Sequence, residues 1–232
     1  MKNSKNKLHH KQNGFTIVEL MIAISVLSVI LLMVSVGIIQ ISKNYYKNII
    51  YASTQQTARA IMEDVSQSLE FGSFTGLDTG STNKSAAYGL GYIINAICIG
   101  PVRYSYVIPY QQSATAPTST ATGVSQHVLW KDTNATSCTP LDTGSSTPDP
   151  SPGATGSELL GDKMRLTKFS ITQAPGDNLY TISVTIMYGD NDLIDETNAN
   201  PAKWVCKSTA NLFSAAFCAK SELTTVVGKR LR

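Results

Sequence analysis

Glu19 is the only charged side chain between Lys11 and Lys43, in a run that reads FTIVELMIAISVLSVILLMVSVGII from Phe15. On insertion scales a carboxylate at the centre of a membrane helix costs roughly 2.5–3.5 kcal/mol, so such a group is usually retained for a task. The plainer reading is a carboxylate near a membrane surface that reaches for headgroups. Three other groups of residues could do chemistry. Four cysteines stand at 98, 138, 206 and 218. Asp190, Asp192, Asp195 and Glu196 fall within seven positions, an oxygen-ligand density able to hold calcium. Their spacing does not match an EF-hand loop, and a solvated acidic turn is the competing reading. His127 is the one histidine beyond the first ten residues.

Catalytic signatures are missing. There is no G-x-S-x-G, H-E-x-x-H or phosphate-binding glycine loop. A Ser-His-Asp set would have to use His127, which has no local signature around it. The chain is therefore read as a non-enzyme, and no cofactor is expected apart from the calcium candidate. Zinc is disfavoured, since no cysteine pair has C-x-x-C spacing.

The element that must position Glu19 is a helix. The apolar run is long enough to cross a bilayer, which takes about 20 helical residues. Residues 1–13 are polar and carry Lys2, Lys5, Lys7 and Lys11. Lysines on this side and a long domain on the other orient the amino terminus to the cytoplasm. Those four lysines also account for the net charge of +3, leaving −1 on the rest of the chain. The body thus gives no electrostatic reason to expect nucleic-acid binding.

An ordinary secretory signal has its small-residue cleavage site after the apolar region. Here the small residue, Gly14, precedes it, so a cut at that point would leave the apolar helix on the mature protein. The sequence Gly14-Phe15-Thr16-Ile17-Val18-Glu19-Leu20 resembles the leader junction of type IV prepilins and pseudopilins. The resemblance implies cleavage between Gly14 and Phe15 by a membrane aspartic peptidase, and N-methylation of Phe15. It also implies an assembly role for Glu19, paired with the terminal amine of a neighbouring subunit. Two costly charges would then become one pair. The implied partners are other pilin subunits, the prepilin peptidase, an inner-membrane assembly platform and membrane lipid. The implied location is a single-pass inner-membrane precursor that becomes part of a surface pilus or a secretion pseudopilus.

From Ser42 to Phe71 there is neither Pro nor Gly. Ile50, Ser53, Thr57, Ile61, Val65 and Leu69 recur at helical spacing, with Arg59, Glu63, Asp64 and Glu70 among them. One helix from Phe15 to Phe71 would be about 85 Å long at 1.5 Å per residue. Gly37 is its weak point, and Gly72, Gly76 and Gly80 end it in a loop. The segment Gln55–Val65 is also similar to the corresponding helix of larger minor pilins, where an Arg precedes an acid by about five positions. A solvated helix face explains the same charges.

Beyond the helix, Tyr92–Ile99 and Arg103–Pro109 read as strands, and His127–Trp130 as a shorter one. Tracts 111–125 and 132–157 are rich in Ser, Thr, Ala, Pro and Gly and read as exposed loops. Asn83-Lys84-Ser85 and Asn134-Ala135-Thr136 match the glycosylation acceptor pattern. Tyr180–Tyr188 alternates apolar and hydroxyl residues, the mark of a strand with one buried and one wet face. Lys163–Thr172 is a second strand whose apolar parity changes between Leu166 and Phe169, predicting a bulge. Pro175-Gly176-Asp177-Asn178 joins the two as a hairpin turn. The hairpin needs a cover for its apolar face, and the second half of the long helix can supply it.

An even number of cysteines in an exported domain reads as two disulfides, with three possible connectivities. Cys98–Cys138 and Cys206–Cys218 are expected because each closes a nearby loop. The predicted organisation is α+β. Residues 1–14 form a leader, 15–41 a transmembrane or filament-core helix and 42–72 its amphipathic continuation. Residues 73–232 form a β-rich head with a carboxy-terminal disulfide region. The head's bulk favours a minor structural subunit. The alternative is a tip adhesin or binding subunit that touches DNA or a surface through head loops.

Overall fold

A computed structural model describes residues 14–72, 76–85, 91–108, 128–133, 135–140, 156–174, 178–207 and 217–230. The chain divides into two compact units, Met1–Asn44 and Tyr45–Arg232. The polar segment 1–13, the tract 111–125, His127, Pro109, Asn134, most of the 132–157 tract and turn residues 175–177 lie outside the described residues, as does the side chain of Asn83.

The architecture is α+β: one long amino-terminal helix, α1 (Ile17–Phe71), and antiparallel sheets. In the first unit the described helix residues are almost all exposed, including Ile17, Leu20, Leu31 and Ile41. One stretch of α1 is long and apolar enough to cross a membrane, and none of that stretch is buried within the chain.

In the second unit, α1 buries Thr54, Ala58, Ile61, Met62, Val65 and Leu69. The lower stripe is the one the periodicity predicts. The upper part is displaced by one position: Ser53 is exposed and Thr57 half-buried, while Thr54 and Ala58 face the core. A small residue at 58 lets the helix approach the sheet, and the Thr54 hydroxyl donates to the Ile50 carbonyl, so its burial leaves no orphan.

The first sheet is a meander of five strands: β1 (Asp78–Ser85), β2 (Gly91–Ile99), β3 (Val102–Val107), β4 (Leu129–Asp132) and β5 (Gly156–Glu158). β1 corrects the loop expected after Gly76. It pairs along its whole length with β2, from Asp78 opposite Cys98 to Ser85 opposite Gly91. Backbone pairing sustains a strand whose own sequence is polar. β5 likewise lies at the end of a tract read as loop, and its Glu158 carboxylate accepts from the amides of Val128, Leu129 and Leu160.

The second sheet has the order β10-β7-β6, formed by β6 (Met164–Gln173), β7 (Leu179–Tyr188) and β10 (Ala219–Gly228). The register of β6 on β7 shifts between Leu166 and Lys168, which is the predicted bulge. The bulged Thr167 is buried, and its hydroxyl donates to the Thr185 carbonyl. β7 departs from the expectation of one wet face, because Ser183, Thr185 and Met187 are buried as well as Ile182, Val184 and Ile186. The reason is twofold. β7 is the central strand, and a second apolar cluster of Met187, Leu193, Ile194, Trp204 and Cys218 covers its other side. That cluster sits at a small two-stranded sheet, β8 (Ile194–Asp195) with β9 (Val205–Cys206).

One main core joins the helix to both larger sheets. Ile61, Val65 and Leu69 meet Ile94, Ile99 and Leu129 of the first sheet and Ile182, Val184 and Ile186 of the second. Full burial of such a side chain is worth about 1.5–3 kcal/mol, so this shared core positions helix and sheets together.

Candidate functional site: the amino-terminal junction and the anchoring of the head

Phe15 is 78% exposed at the start of the apolar helix. A side-chain carbon added at Gly14 would meet nothing within 4 Å, and Gly14 is not among the residues with positive φ. Among the described residues, therefore, nothing asks for glycine there.

Thr16 is the N-cap of α1. Its hydroxyl oxygen accepts from the Glu19 amide at 3.3 Å, and the hydroxyl donates to the Glu19 carboxylate at 3.5 Å. Thr16-x-x-Glu19 is the sequence form of a capping box, a signal present in the sequence but missed by reading Glu19 for its charge alone. It places Glu19 in the first helical turn, where a negative charge also complements the helix dipole. The arrangement fixes the carboxylate one turn from Phe15 and leaves it on the surface of the isolated chain.

The head is tied by two disulfides, Cys98–Cys138 and Cys206–Cys218, and no cysteine is free. The second closes a separation of 12 residues. Loop-closure entropy makes such a link worth about 3 kcal/mol. Replacing Cys206 and Cys218 together by Ala should lower the stability of the folded head by about that amount, measured as a shift in its denaturation midpoint.

The acidic group does not converge. Asp190 pairs with Lys163, Glu196 with Arg165, and the Asp195 carboxylate accepts from the Thr197 amide. The hydrogen bonds from Thr197 hold Asp195 below the usual carboxylate range. Burial pulls the Arg165 guanidinium down from its ordinary value, and the negative charges of Glu196 and Asp190 oppose that pull. Asp192 is exposed. Among the described residues no group of three or more His, Cys, Asp or Glu side chains is placed to hold a metal ion.

Two polar clusters were not legible beforehand. Asp64, read as a helix-surface charge, accepts from the Tyr104 hydroxyl at 2.8 Å and pairs with Lys131, while the Ser68 hydroxyl lies 2.9 Å from the same phenol. This set fastens α1 to β3 and β4. Arg103 and Asp132 form a buried pair on adjacent strands, and the Arg103 guanidinium also donates to the carbonyls of Ser137 and Thr139. It thereby holds the segment that carries Cys138.

Tyr104 gives the first cluster a pH dependence. Burial pushes its phenol well above the ordinary value, and the Asp64 charge pushes the same way, against the Ser68 hydrogen bond. A free phenol ionises near pH 10. Below that both folded and unfolded chains hold the proton, and the contribution is complete. As pH rises further the unfolded chain ionises first, so stability is lost. Tyr106 is raised by burial as well and adds to the same slope. Tyr104→Phe should therefore flatten, without abolishing, the loss of stability above about pH 10, read from denaturation midpoints against pH.

A family model described as the prokaryotic N-terminal methylation motif matches residues 9–35. The match covers the Gly14-Phe15 junction, Glu19 and most of the apolar run. No curated protein and no solved structure matches the chain.

Proposed function

We propose that this chain, a type IV pilin- or pseudopilin-like subunit by its methylation motif and its amino-terminal helix, is a minor structural subunit of a pilus or pseudopilus. The observation that carries the reading is the Gly14-Phe15 junction placed directly before an apolar helix that the chain itself leaves uncovered. A helix so exposed needs lipid before assembly and neighbouring helices afterwards. The prepilin peptidase cuts after Gly14, Phe15 is N-methylated, and Glu19 pairs with the terminal amine of an adjacent subunit. The precursor sits in the inner membrane with its amino terminus in the cytoplasm and its head outside. An assembly platform then transfers it to the filament. Two disulfides in the head suit an oxidising exterior. A head running from residue 73 to 232, interrupted by Ser-, Thr- and Pro-rich tracts, favours a low-copy subunit over the principal repeating one.

Two measurements test this. The mature protein extracted from membranes should begin at N-methylated Phe15, and an amino terminus beyond Ile41 would overturn the reading. Sheared filaments should contain few copies of this chain relative to the main subunit. Stoichiometry comparable to the main subunit would remove the minor assignment and leave the pilin reading standing.

A further inference from the structure

Three aromatic rings of the second unit are in contact and open to solvent. Tyr45 and Tyr46 lie edge-on with centroids 6.1 Å apart, and Tyr46 meets Phe217 at the same centroid distance. Their exposures are 64%, 52% and 38%, and Ile49, one helical turn beyond Tyr45, is 45% exposed. Phe217 immediately precedes Cys218, which closes the second disulfide. This patch follows directly on the apolar run, which ends at Ile41, and Lys43 and Lys47 flank the two tyrosines in sequence.

Position along the chain is what gives the patch its partner. The stretch from Leu20 to Ile41 spans the hydrocarbon core of about 30 Å at 1.5 Å per helical residue. Tyr45 follows Ile41 by four residues, about 6 Å further along a helix. That is the depth of the headgroup zone, where amphipathic aromatic rings are enriched and lysines reach outward. A tyrosine there keeps its ring against acyl chains and its hydroxyl in water.

We infer that Tyr45, Tyr46 and Phe217 form an interfacial anchor on the outer leaflet, so that Phe217, next to the disulfide-bonded Cys218, rests at the lipid headgroups while the subunit awaits assembly. The partner is a phospholipid surface. Phe217 meets the helix through the Tyr46–Phe217 contact, and the disulfide of its neighbour Cys218 keeps it close to β9. This rests on the membrane-anchored reading of the precursor, and adds that Phe217, distant from the helix in sequence, meets the same lipid surface as Tyr45 and Tyr46.

The full-length chain offers a clean background for the test. Trp130 and Trp204 are 8% and 2% exposed, so neither is open to a quencher. Two single variants add a reporter: Val26→Trp within the apolar helix, and Phe217→Trp in the patch. Each is reconstituted in phosphatidylcholine vesicles with or without bromine near the upper end of the acyl chains. Phe217→Trp should lose at least about half of its added emission in brominated vesicles, as an interfacial ring does, and resist aqueous iodide. Val26→Trp, tested also with bromine deeper in the chains, reports on membrane insertion itself. Quenching of Val26→Trp by lipid but of Phe217→Trp by iodide would overturn the anchor and leave the membrane reading intact. Protection of Phe217→Trp from both quenchers would also overturn it, in favour of a protein contact. An unquenched Val26→Trp would remove the membrane reading, and the anchor with it.

Discussion

Arg103→Met is expected to destabilise the head by about 3–5 kcal/mol, the range for breaking a buried ion pair by removing one partner. The side chains of Arg103 and Asp132 are 5% and 4% exposed. The guanidinium approaches one carboxylate oxygen through Nε at 3.2 Å and Nη2 at 2.9 Å, while the Trp130 indole donates to the other oxygen at 3.0 Å. Removing Arg103 strands a carboxylate in the core and leaves the carbonyls of Ser137 and Thr139 without the donor that now bridges to them. A domain is commonly stable by only about 5–15 kcal/mol, so the loss is a large share. Asp132→Leu combined with Arg103→Met should recover part of it, because a hydrophobic pair avoids the uncompensated charge. Recovery should stay incomplete, since the two carbonyl contacts remain lost. Urea denaturation of the full-length chain in detergent checks this, with Trp130 as a reporter beside the site and the slope expected to hold while the midpoint falls. A loss for Arg103→Met below about 1 kcal/mol would mean that solvent reaches the pair, as it does for exposed ion pairs.

That pair shows what sequence could not reveal. Arg103 and Asp132 stand 29 positions apart, and their proximity depends on β3 pairing with β4. Local patterns carry no such information. Periodic elements were legible because one repeating physical demand shaped them. Ile61, Val65 and Leu69 face a core at helical spacing, and the change of parity in β6 does mark a bulge at Thr167. β10 carried a usable signal that its mixed composition diluted: Ala219, Ser221 and Val227 are buried on one parity, while Glu222, Thr224 and Val226 are exposed on the other. β1 carried none, since it owes its existence to the free edge of β2. The burial of Ser183 and Thr185 in β7 depends on a covering segment drawn from residues 193–204, which no reading of the strand alone could supply. At the amino terminus the candidate residues are adjacent in sequence, so they were legible together. What was missed there, the Thr16 cap, had a local signature overshadowed by the charge of Glu19.

The cap changes how the assembly role of Glu19 has to be tested. Glu19→Ala removes a charge whose partner is proposed to be a neighbour's terminal amine, and it also removes a member of the Thr16–Glu19 capping interaction. Loss of a cap costs about 0.5–2 kcal/mol and acts on the start of the helix within one subunit. Loss of an intersubunit ion pair acts on assembly and leaves the free subunit intact. Thr16→Val separates the two, because it abolishes the cap and keeps the carboxylate. Under the pairing proposal, Glu19→Ala and Glu19→Gln accumulate as processed protein in the membrane and fall at least about tenfold in sheared filaments, as expected when about 1.4 kcal/mol or more of differential binding is lost. Thr16→Val enters filaments normally. Membrane residence is not impaired by Glu19→Ala, since an expensive charge has been removed. The measurement is processed subunit in membrane and filament fractions for the native chain and all three variants. If Thr16→Val fails to assemble as severely as Glu19→Ala, the carboxylate acts by shaping the first turn of α1. If both Glu19 variants assemble normally, the pairing role is refuted and Glu19 is a surface-proximal charge that the bilayer tolerates.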